Sequence, residues 1–329
     1  MTTNETTSEA FDEFDDNLKL DPDERTAAEE IHNDITSLLR DKRIITGAFL
    51  QGSFARKTMI APLRDVDKVV ILHPSLAGLS PDEVMNRIQT ALAAAYPDVT
   101  FDRTQHALQV DFGEESFYFD TVPAWETTTD DDDVCIANRD SGGWERSNTR
   151  ELIRVVAVRN AATNGRFIHQ VRMGKQAIKH LLDGIIPGLH VESWAYMVID
   201  RAMDHDKALA LLLDTGATAL GTLYTEPTGV DTISTRLKPD VIATAKPVLL
   251  AAATRAAEAR ALTEAGDHNE AIRIWHEIFG DCFPAPKPQT PSEALRRSFE
   301  GGAVTTAGTV STSRTGAQRS TPVRPWRET

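Results

Sequence analysis

Two short apolar runs flank a polar turn in the first quarter of the chain. Residues 44–50 and 66–72 are rich in apolar and β-branched residues and predict two strands, while Gly52-Ser53 opens a short helix that Pro62 ends. Before them, residues 22–39 carry apolar side chains at three- and four-residue steps, which predicts an amphipathic helix. The pattern therefore predicts helix, strand, turn, short helix, strand.

A predicted hairpin follows this unit. Residues 107–112 and 116–122 alternate on either side of Gly113-Glu114-Glu115, which indicates two antiparallel strands after a helix over residues 81–95. Because side chains alternate along a strand, Asp120 lies on the face opposite Phe117 and Phe119, together with Tyr118 and Val122. The second strand of the hairpin thus presents one carboxylate on its polar face.

The pattern changes at residue 147, after which one helical segment follows another. The fold class is therefore predicted as α+β: a mixed sheet with helices, joined to a C-terminal helical lobe, with the active site in the cleft between the lobes. The domains are placed at 1–20 for an acidic, mobile leader, 21–146 for the catalytic core, 147–290 for the helical lobe and 291–329 for a disordered basic tail. The predicted helices of the second lobe cover residues 149–162, 166–182, 190–203, 207–213, 240–265 and 269–279.

The composition narrows the class of protein. The 329-residue chain has a formal net charge of −14, which argues against stable nucleic-acid binding, since phosphate binding needs clustered Lys and Arg. Its two cysteines form no CxxC motif, so neither a disulfide framework nor a structural zinc site is expected. No apolar run approaches the roughly 18 residues that span a bilayer, and the acidic N-terminus lacks the apolar segment of a signal peptide. We therefore expect a soluble, cytoplasmic protein.

Three aspartates form the predicted catalytic site. Asp65 and Asp67 stand one residue apart on a strand, so both side chains point to the same face, and the strand of Asp120 can lie beside them. Three carboxylates can hold two Mg²⁺ or Mn²⁺ ions about 3.5–4 Å apart, the arrangement that serves phosphoryl transfer. Asp65 and Asp67 are assigned to bridge the metals, and Asp120 to complete the ion that activates an attacking hydroxyl.

Each aspartate also has an ordinary structural interpretation. An Asp-x-Asp at a strand end is often only a polar edge, and Asp120 could be a solvated carboxylate at the end of its strand. The order of three features along the chain, with Gly52-Ser53 ahead of the three carboxylates, favours nucleotidyl transfer.

A phosphate-binding turn precedes the aspartates. Glycine lets the main chain approach a phosphate closely, so Gly52 and Ser53, together with the neighbouring Gln51, are predicted to bind the nucleotide. Arg56 or Lys57 can add positive charge there, or both can lie on a solvent-facing helix.

Lys175 is a candidate phosphate ligand from the second lobe. Within VRMGKQAIKH it can reach across the cleft to the triphosphate. Alternatively, Lys175 and Lys179 form the polar stripe of an amphipathic helix.

The run Asp130–Asp133 has two interpretations, a metal site and a solvated loop. We favour the loop, because contiguous aspartates cannot converge on one ion without a turn, and the sequence signals none there.

At these motifs the chain resembles the bacterial cGAS/DncV-like nucleotidyltransferases, the CD-NTases of the polymerase β superfamily. The resemblance covers roughly residues 10 to 285. Where many relatives have Ser-Tyr, this chain has Gly188-Leu189. The motifs that carry it are LQGSFARKTMI, DVDKVVIL, FYFDTVPAW, VRMGKQAIKHLL, GLHVESWAY, EPTGVDTISTRL and IRIWHEIFGDCFP.

The resemblance implies both a fold and an activity. The fold would be a polymerase β-like nucleotidyltransferase core with a helical lobe. The activity would be synthesis of a cyclic di- or trinucleotide from ATP, GTP or other NTPs. Such products are second messengers in anti-phage (CBASS) signalling and reach a downstream effector.

The C-terminal tail has its own signature. Residues 301–329 are mostly Gly, Ser, Thr, Ala and Arg, with four arginines against one acid, and they are too polar to fold alone. Trp326 stands isolated in this stretch and can anchor a partner, or the terminus is simply unconstrained. In some relatives an accessory protein handles the C-terminus, so the resemblance makes such a partner a candidate here.

Two other functions remain open on the sequence alone. The nucleotide could be transferred to another acceptor, such as an RNA 3′-end, a small molecule or a protein hydroxyl, although the acidity of the chain argues against RNA. The chain could also be a non-catalytic nucleotide-binding sensor, against which the three aspartates argue.

Overall fold

A mixed sheet forms the first lobe, called here the sheet lobe. In this computed structural model, which describes residues 6–113, 117–127 and 134–287, the strand order is β1-β2-β5-β4-β3, and β6 joins β5 and β7. β2 and β5 are parallel, whereas the other pairs are antiparallel. The strands are β1 (Ile45–Leu50), β2 (Asp65–Leu72), β3 (Thr100–Arg103), β4 (Leu108–Asp111), β5 (Tyr118–Glu126), β6 (Val134–Asn138) and β7 (Gly143–Ser147).

Helices make up the rest of the fold. Helices α2 and α4 pack against the sheet lobe, and α1 and α5–α10 form a second lobe, called here the helical lobe. The helices are α1 (Thr7–Asn17), α2 (Pro22–Asp41), α3 (Gly52–Ala55), α4 (Pro81–Ala95), α5 (Thr149–Ala162), α6 (Arg166–Leu182), α7 (Gly188–Val198), α8 (His205–Ala219), α9 (Pro239–Glu264) and α10 (His268–Phe279). Both lobes belong to one compact unit, which ends at Ala285.

The N-terminal segment differs from the sequence prediction. Residues 1–20 were expected to be a mobile acidic leader, but Thr7–Asn17 is a helix whose N-cap Thr6 forms a capping box with Glu9. Phe11 and Phe14, three residues apart, share its buried face, while the acidic residues lie mainly on the other side. The acidic composition hid a short amphipathic pattern.

α1 completes the core of the helical lobe. The Phe11 ring lies 5.2 Å from Trp275 and 5.1 Å from Phe283, centroid to centroid, and Phe14 lies 4.5 Å from Phe279. These edge-to-face and tilted contacts are the arrangements that aromatic rings prefer. The first helix is therefore held by elements near the other end of the unit.

Most predicted elements are present, with shifted ends. α5 and α6 have the predicted bounds, but α7 ends at Val198 instead of residue 203, and α8 continues to Ala219 instead of residue 213. α3 is a single turn, which stops before Lys57, a residue with φ of +61°.

Two predictions concern residues that the structure does not describe, and a third concerns membrane-spanning helices. The run Asp130–Asp133 and the tail 291–329 lie outside the described residues. Within the described ranges, no helix is long and apolar enough to cross a membrane.

Candidate active site

The register between β2 and β5 brings the three predicted carboxylates to one face of the sheet. Asp67 pairs directly with Asp120, and Asp65 lies two residues before Asp67 on the same strand. Because side chains two apart on a strand share a face and neighbouring strands lie about 4.8 Å apart, the three carboxylates are neighbours. This face is called here the carboxylate face.

Burial raises the pKa of all three carboxylates, and repulsion between them adds to the rise for Asp67 and Asp120. The pKa of Asp67 rises from 3.8 to about 6, chiefly through burial and then through the charges of Asp65 and Asp120. Burial likewise raises the pKa of Asp65 and of Asp120, and Gln109 opposes the shift by donating a hydrogen bond of 3.3 Å to Asp120. The carboxylate face therefore carries negative charge that the protein leaves poorly compensated.

This donor set fits a hard divalent cation. Carboxylate oxygens are the ligands that Mg²⁺ and Mn²⁺ prefer, and Asp65, Asp67 and Asp120 would hold such ions. In residues 6–113, 117–127 and 134–287, however, no three side chains are already arranged around a single ion position. The carboxylates thus share a face without being drawn together at ligand distance.

The Gly-Ser turn packs directly on the carboxylate face. Gly52 has φ of +66°, and a Cβ at this position would lie 1.7 Å from Asp67 Oδ2. The preceding Gln51 donates its backbone N–H to the carbonyl of Asp67 at 2.9 Å, and its side chain accepts from Thr149 at 2.7 Å. Only glycine fits between the turn and the aspartate, so Gly52 fixes how closely the turn approaches the carboxylates.

A cavity of about 420 Å³ opens between this turn and the helical lobe. It contains the predicted Gly52, Ser53, Arg56 and Lys175 together with two of the aspartates. Asp120 does not line it. The lining residues are Gly52, Ser53, Arg56, Met59, Ile60, Pro62, Arg64, Asp65, Asp67, Lys175, Lys179, Gly188, Leu189 and Glu192.

Glu192 is the residue in this cavity that the sequence did not reveal. This fully buried carboxylate on α7 accepts from Arg56 Nε at 2.7 Å and Nη2 at 3.1 Å, from Lys175 Nζ at 2.6 Å and from Thr58 Oγ1 at 2.8 Å. Lys175 also donates to Thr58 at 3.1 Å. The group formed by Arg56, Thr58, Lys175 and Glu192 is called here the interlobe clasp, since its members come from both lobes.

The clasp distinguishes the alternatives for four cationic residues. Arg56 is buried, whereas Lys57 is exposed, so only Arg56 faces the interior. Lys175 is largely buried in an ion pair and is no part of a solvated stripe, although Lys179, one turn later, is exposed at the cavity edge. The signal for Glu192 was a lone acid within an apolar helix, a position that demands a partner.

A second cavity, of about 610 Å³, meets the first at Gly52, Arg56, Asp67 and Leu189. It extends between β6–β7, the start of α5 and the loop after α8. Its other lining residues are Gln51, His106, Ile136, Glu145, Arg146, Ser147, Asn148, Thr149, Leu152, Glu226, Val230, Asp231 and Arg236. Asp67 thus stands where two cavities adjoin, each large enough for a ligand of several tens of atoms.

Comparison with known proteins gives consistent matches. The model of a Second Messenger Oligonucleotide or Dinucleotide Synthetase domain matches residues 5–160. A probable cyclic AMP-AMP-GMP nucleotide synthase of Salmonella paratyphi B is 26% identical, with 75% of this chain and 83% of that protein covered. The cyclic AMP-AMP-GMP synthase of Enterobacter hormaechei subsp. hoffmannii is 24% identical over the same shares.

Solved structures share the fold. CdnC of E. coli MS115-1 with ATP superimposes with a TM-score of 0.67 at 16% identity, covering 84% of this chain and 99% of that one. The cyclic AMP-GMP synthase DncV of Vibrio cholerae gives 0.58 at 13% identity, covering 85% and 88%. These matches confirm the predicted α+β fold, with a polymerase β-like core and a helical C-terminal part.

Proposed function

We propose that this chain, which is similar to the cGAS/DncV-like nucleotidyltransferases, joins nucleoside triphosphates into a cyclic oligonucleotide. One observation supports this most directly: two cavities adjoin at Asp67, beside Asp120 on the neighbouring strand. A reaction between two nucleotides needs two sites that meet at the reacting atoms.

The donor triphosphate belongs in the first cavity. Ser53 and the N–H groups of the turn at Gly52 would bind its phosphates, and Lys175 and Arg56 would balance their charge. Two divalent metal ions, held by Asp65, Asp67 and Asp120, would supply further charge neutralisation and alignment. The acceptor nucleotide belongs in the second cavity, whose wall includes Asp67.

Each turnover forms one phosphodiester bond. The 3′- or 2′-hydroxyl oxygen of the acceptor attacks the α-phosphorus of the donor, the hydroxyl proton is lost, and pyrophosphate leaves with the electron pair of the broken bond. A cyclic product requires the same step again within the linear intermediate. The carboxylate face is therefore used at least twice for each product.

The substrates and product class follow from the relatives by analogy. Two curated relatives are named for cyclic AMP-AMP-GMP, and solved relatives contain ATP or GTP. We propose ATP and GTP as substrates and a cyclic di- or trinucleotide as product, which would act as a second messenger on an effector in anti-phage defence.

An accessory protein is a further proposed partner. CdnC of E. coli MS115-1 has been solved in complex with a HORMA protein. The C-terminal tail suggested by the sequence as a docking segment lies outside the described residues.

Product analysis tests the proposal. The purified full chain is incubated with ATP, GTP, CTP and UTP and with Mg²⁺ or Mn²⁺, treated with phosphatase and analysed by mass spectrometry. We expect a phosphatase-resistant cyclic oligonucleotide, and none from the Asp65→Asn, Asp67→Asn double variant, which lacks the metal-binding charge. If only linear products or a nucleotide-tagged acceptor form, the chain transfers nucleotides to another acceptor and does not cyclise them. If nucleotides bind without turnover, the chain is a nucleotide sensor.

A further inference from the structure

The interlobe clasp joins cations of both lobes to one buried carboxylate. Arg56 and Thr58 follow the Gly-Ser turn in the sheet lobe, whereas Lys175 and Glu192 lie on α6 and α7 of the helical lobe. Buried charges are held firmly only when their hydrogen bonds are satisfied, and here four donated hydrogen bonds reach the two oxygens of Glu192. The position of each cation is therefore set by Glu192.

The same two cations lie in the field of the carboxylate face. Arg56 and Lys175 line the first cavity together with Asp65 and Asp67. Yet no ion pair joins either cation to Asp65 or Asp67 within the described part of the chain. Both cations therefore share a cavity with Asp65 and Asp67 but form their ion pairs with Glu192.

Charge counting shows what Glu192 prevents. Arg56 and Lys175 together carry two positive charges against one negative charge on Glu192, so an excess of one positive charge faces the cavity. If the charge of Glu192 were lost, both long side chains would gain by turning to Asp65 and Asp67, the carboxylates that line the same cavity. They would then occupy the carboxylates that a divalent cation needs.

Gly188 supports this arrangement from the other side. A Cβ at Gly188 would come within 3.0 Å of Lys175 Cε and 3.3 Å of its Nζ. Because there is no side chain at this position, the stem of Lys175 lies against the backbone and its ammonium reaches Glu192 and Thr58.

We propose that Glu192 is a positioning residue that holds Lys175 and Arg56 away from Asp65 and Asp67 and so keeps the carboxylate face open to divalent cations. The inference rests on the proposed nucleotide and metal site. It assigns to the clasp a role in cation affinity, separate from any contribution to stability.

The test measures Mn²⁺ binding directly. Free Mn²⁺ is followed by electron paramagnetic resonance in the presence of a saturating non-hydrolysable ATP analogue, and turnover of ATP and GTP is measured against Mn²⁺ concentration. Glu192→Gln should raise the half-saturating Mn²⁺ concentration by about fivefold or more in both measurements, with turnover partly recovered at high Mn²⁺. A saturation midpoint does not depend on the folded fraction, so misfolding alone cannot produce this shift.

Two further variants sharpen the result. Asp15→Asn is the matched control, because Asp15 forms a buried ion pair of 2.8 Å with Arg172 on the same helix as Lys175; its loss should lower stability without moving the midpoint. Thr58→Val removes one donor to Glu192 and one acceptor of Lys175 without burying an uncompensated charge. It should shift the midpoint in the same direction by a smaller factor, and it serves if Glu192→Gln does not fold.

Three outcomes overturn the inference. A Glu192→Gln midpoint within twofold of wild type, with wild-type turnover intact, overturns the role of Glu192 and leaves the proposed function standing. An equal shift in Asp15→Asn reduces Glu192 to a structural residue. A wild-type protein that binds no Mn²⁺ with the analogue overturns the proposed site and this inference together.

Discussion

Replacing Asp67 by Asn should stabilise the metal-free protein while abolishing its activity. The pKa of Asp67 is raised in the folded state from 3.8 to about 6, chiefly by burial and then by Asp65 and Asp120. Below both values the carboxyl is protonated whether the chain is folded or not. Between them the unfolded state loses its proton first, so this group's contribution to stability falls as pH rises through the window.

The size of the effect follows from the same two values. The difference between 3.8 and about 6 corresponds to a penalty of about 3 kcal/mol that is fully present above pH 7. At pH 4.5 the same linkage leaves a penalty of about 1 kcal/mol. Asn keeps the shape of Asp but carries no charge, so the free energy of unfolding of the variant should exceed that of wild type by up to about 3 kcal/mol near pH 7.5. Near pH 4.5 this gain in stability should be smaller by about 2 kcal/mol.

Thermal unfolding in EDTA measures this gain. For a unit of this size, about 2 °C in Tm accompanies each kcal/mol, so Asp67→Asn should melt up to about 6 °C above wild type near pH 7.5. Asp98→Asn, at an exposed turn in the sheet lobe, is the control and should leave Tm unchanged at both pH values. A variant that melts at or below the wild-type Tm near pH 7.5, or with the same gain at both pH values, would refute the reasoning.

Four other substitutions test separate parts of the structure. Gly52→Ala should reduce turnover by at least about 100-fold, measured at saturating NTP, because its Cβ would overlap Asp67 at a backbone φ of +66°. Asp120→Asn should lose turnover but keep analogue affinity within about threefold in a binding titration, since Asp120 lines neither cavity. Lys175→Ala should raise the KM for NTP about tenfold, and an unchanged KM would remove Lys175 from the phosphate site. Phe11→Ala should cost about 3–5 kcal/mol in urea unfolding, because four aromatic rings lose contact with it; a cost under 1 kcal/mol would show that α1 is dispensable.

The carboxylate face could be predicted because its information is local. Alternation along a strand fixes that Asp65 and Asp67 share a face, and the hairpin pattern fixes the face of Asp120. The parallel pairing of β2 with β5, which brings Asp120 opposite Asp67, joins segments more than 50 residues apart. The sequence indicated that these two strands could lie side by side, but no rule of residue spacing fixed their pairing.

Glu192 could not be predicted because its partners are distant in sequence. It contacts Arg56 and Thr58 across more than 130 residues, and no periodic pattern encodes such a contact. The role of α1 was missed for a different reason. α1 has more acidic residues than buried phenylalanines, so its composition favoured a mobile leader. The spacing of the two phenylalanines indicates a buried face only once the aromatic residues of the last helix are known to pack against it.

The closure of α1 onto α10 sets an order of events during synthesis. Thr7 donates its backbone N–H to His268, 261 residues later in the chain. At about 5–20 residues per second, a ribosome needs roughly 13–50 s to make that stretch, during which Phe11 and Phe14 lack the rings of Trp275, Phe279 and Phe283. The strands of the sheet lobe emerge earlier and can pair in the meantime, so the carboxylate face can form before α1 packs against α10. Chaperone demand should accordingly fall on the N-terminus, and a stop codon before residue 268 should leave an aggregation-prone chain with a formed sheet.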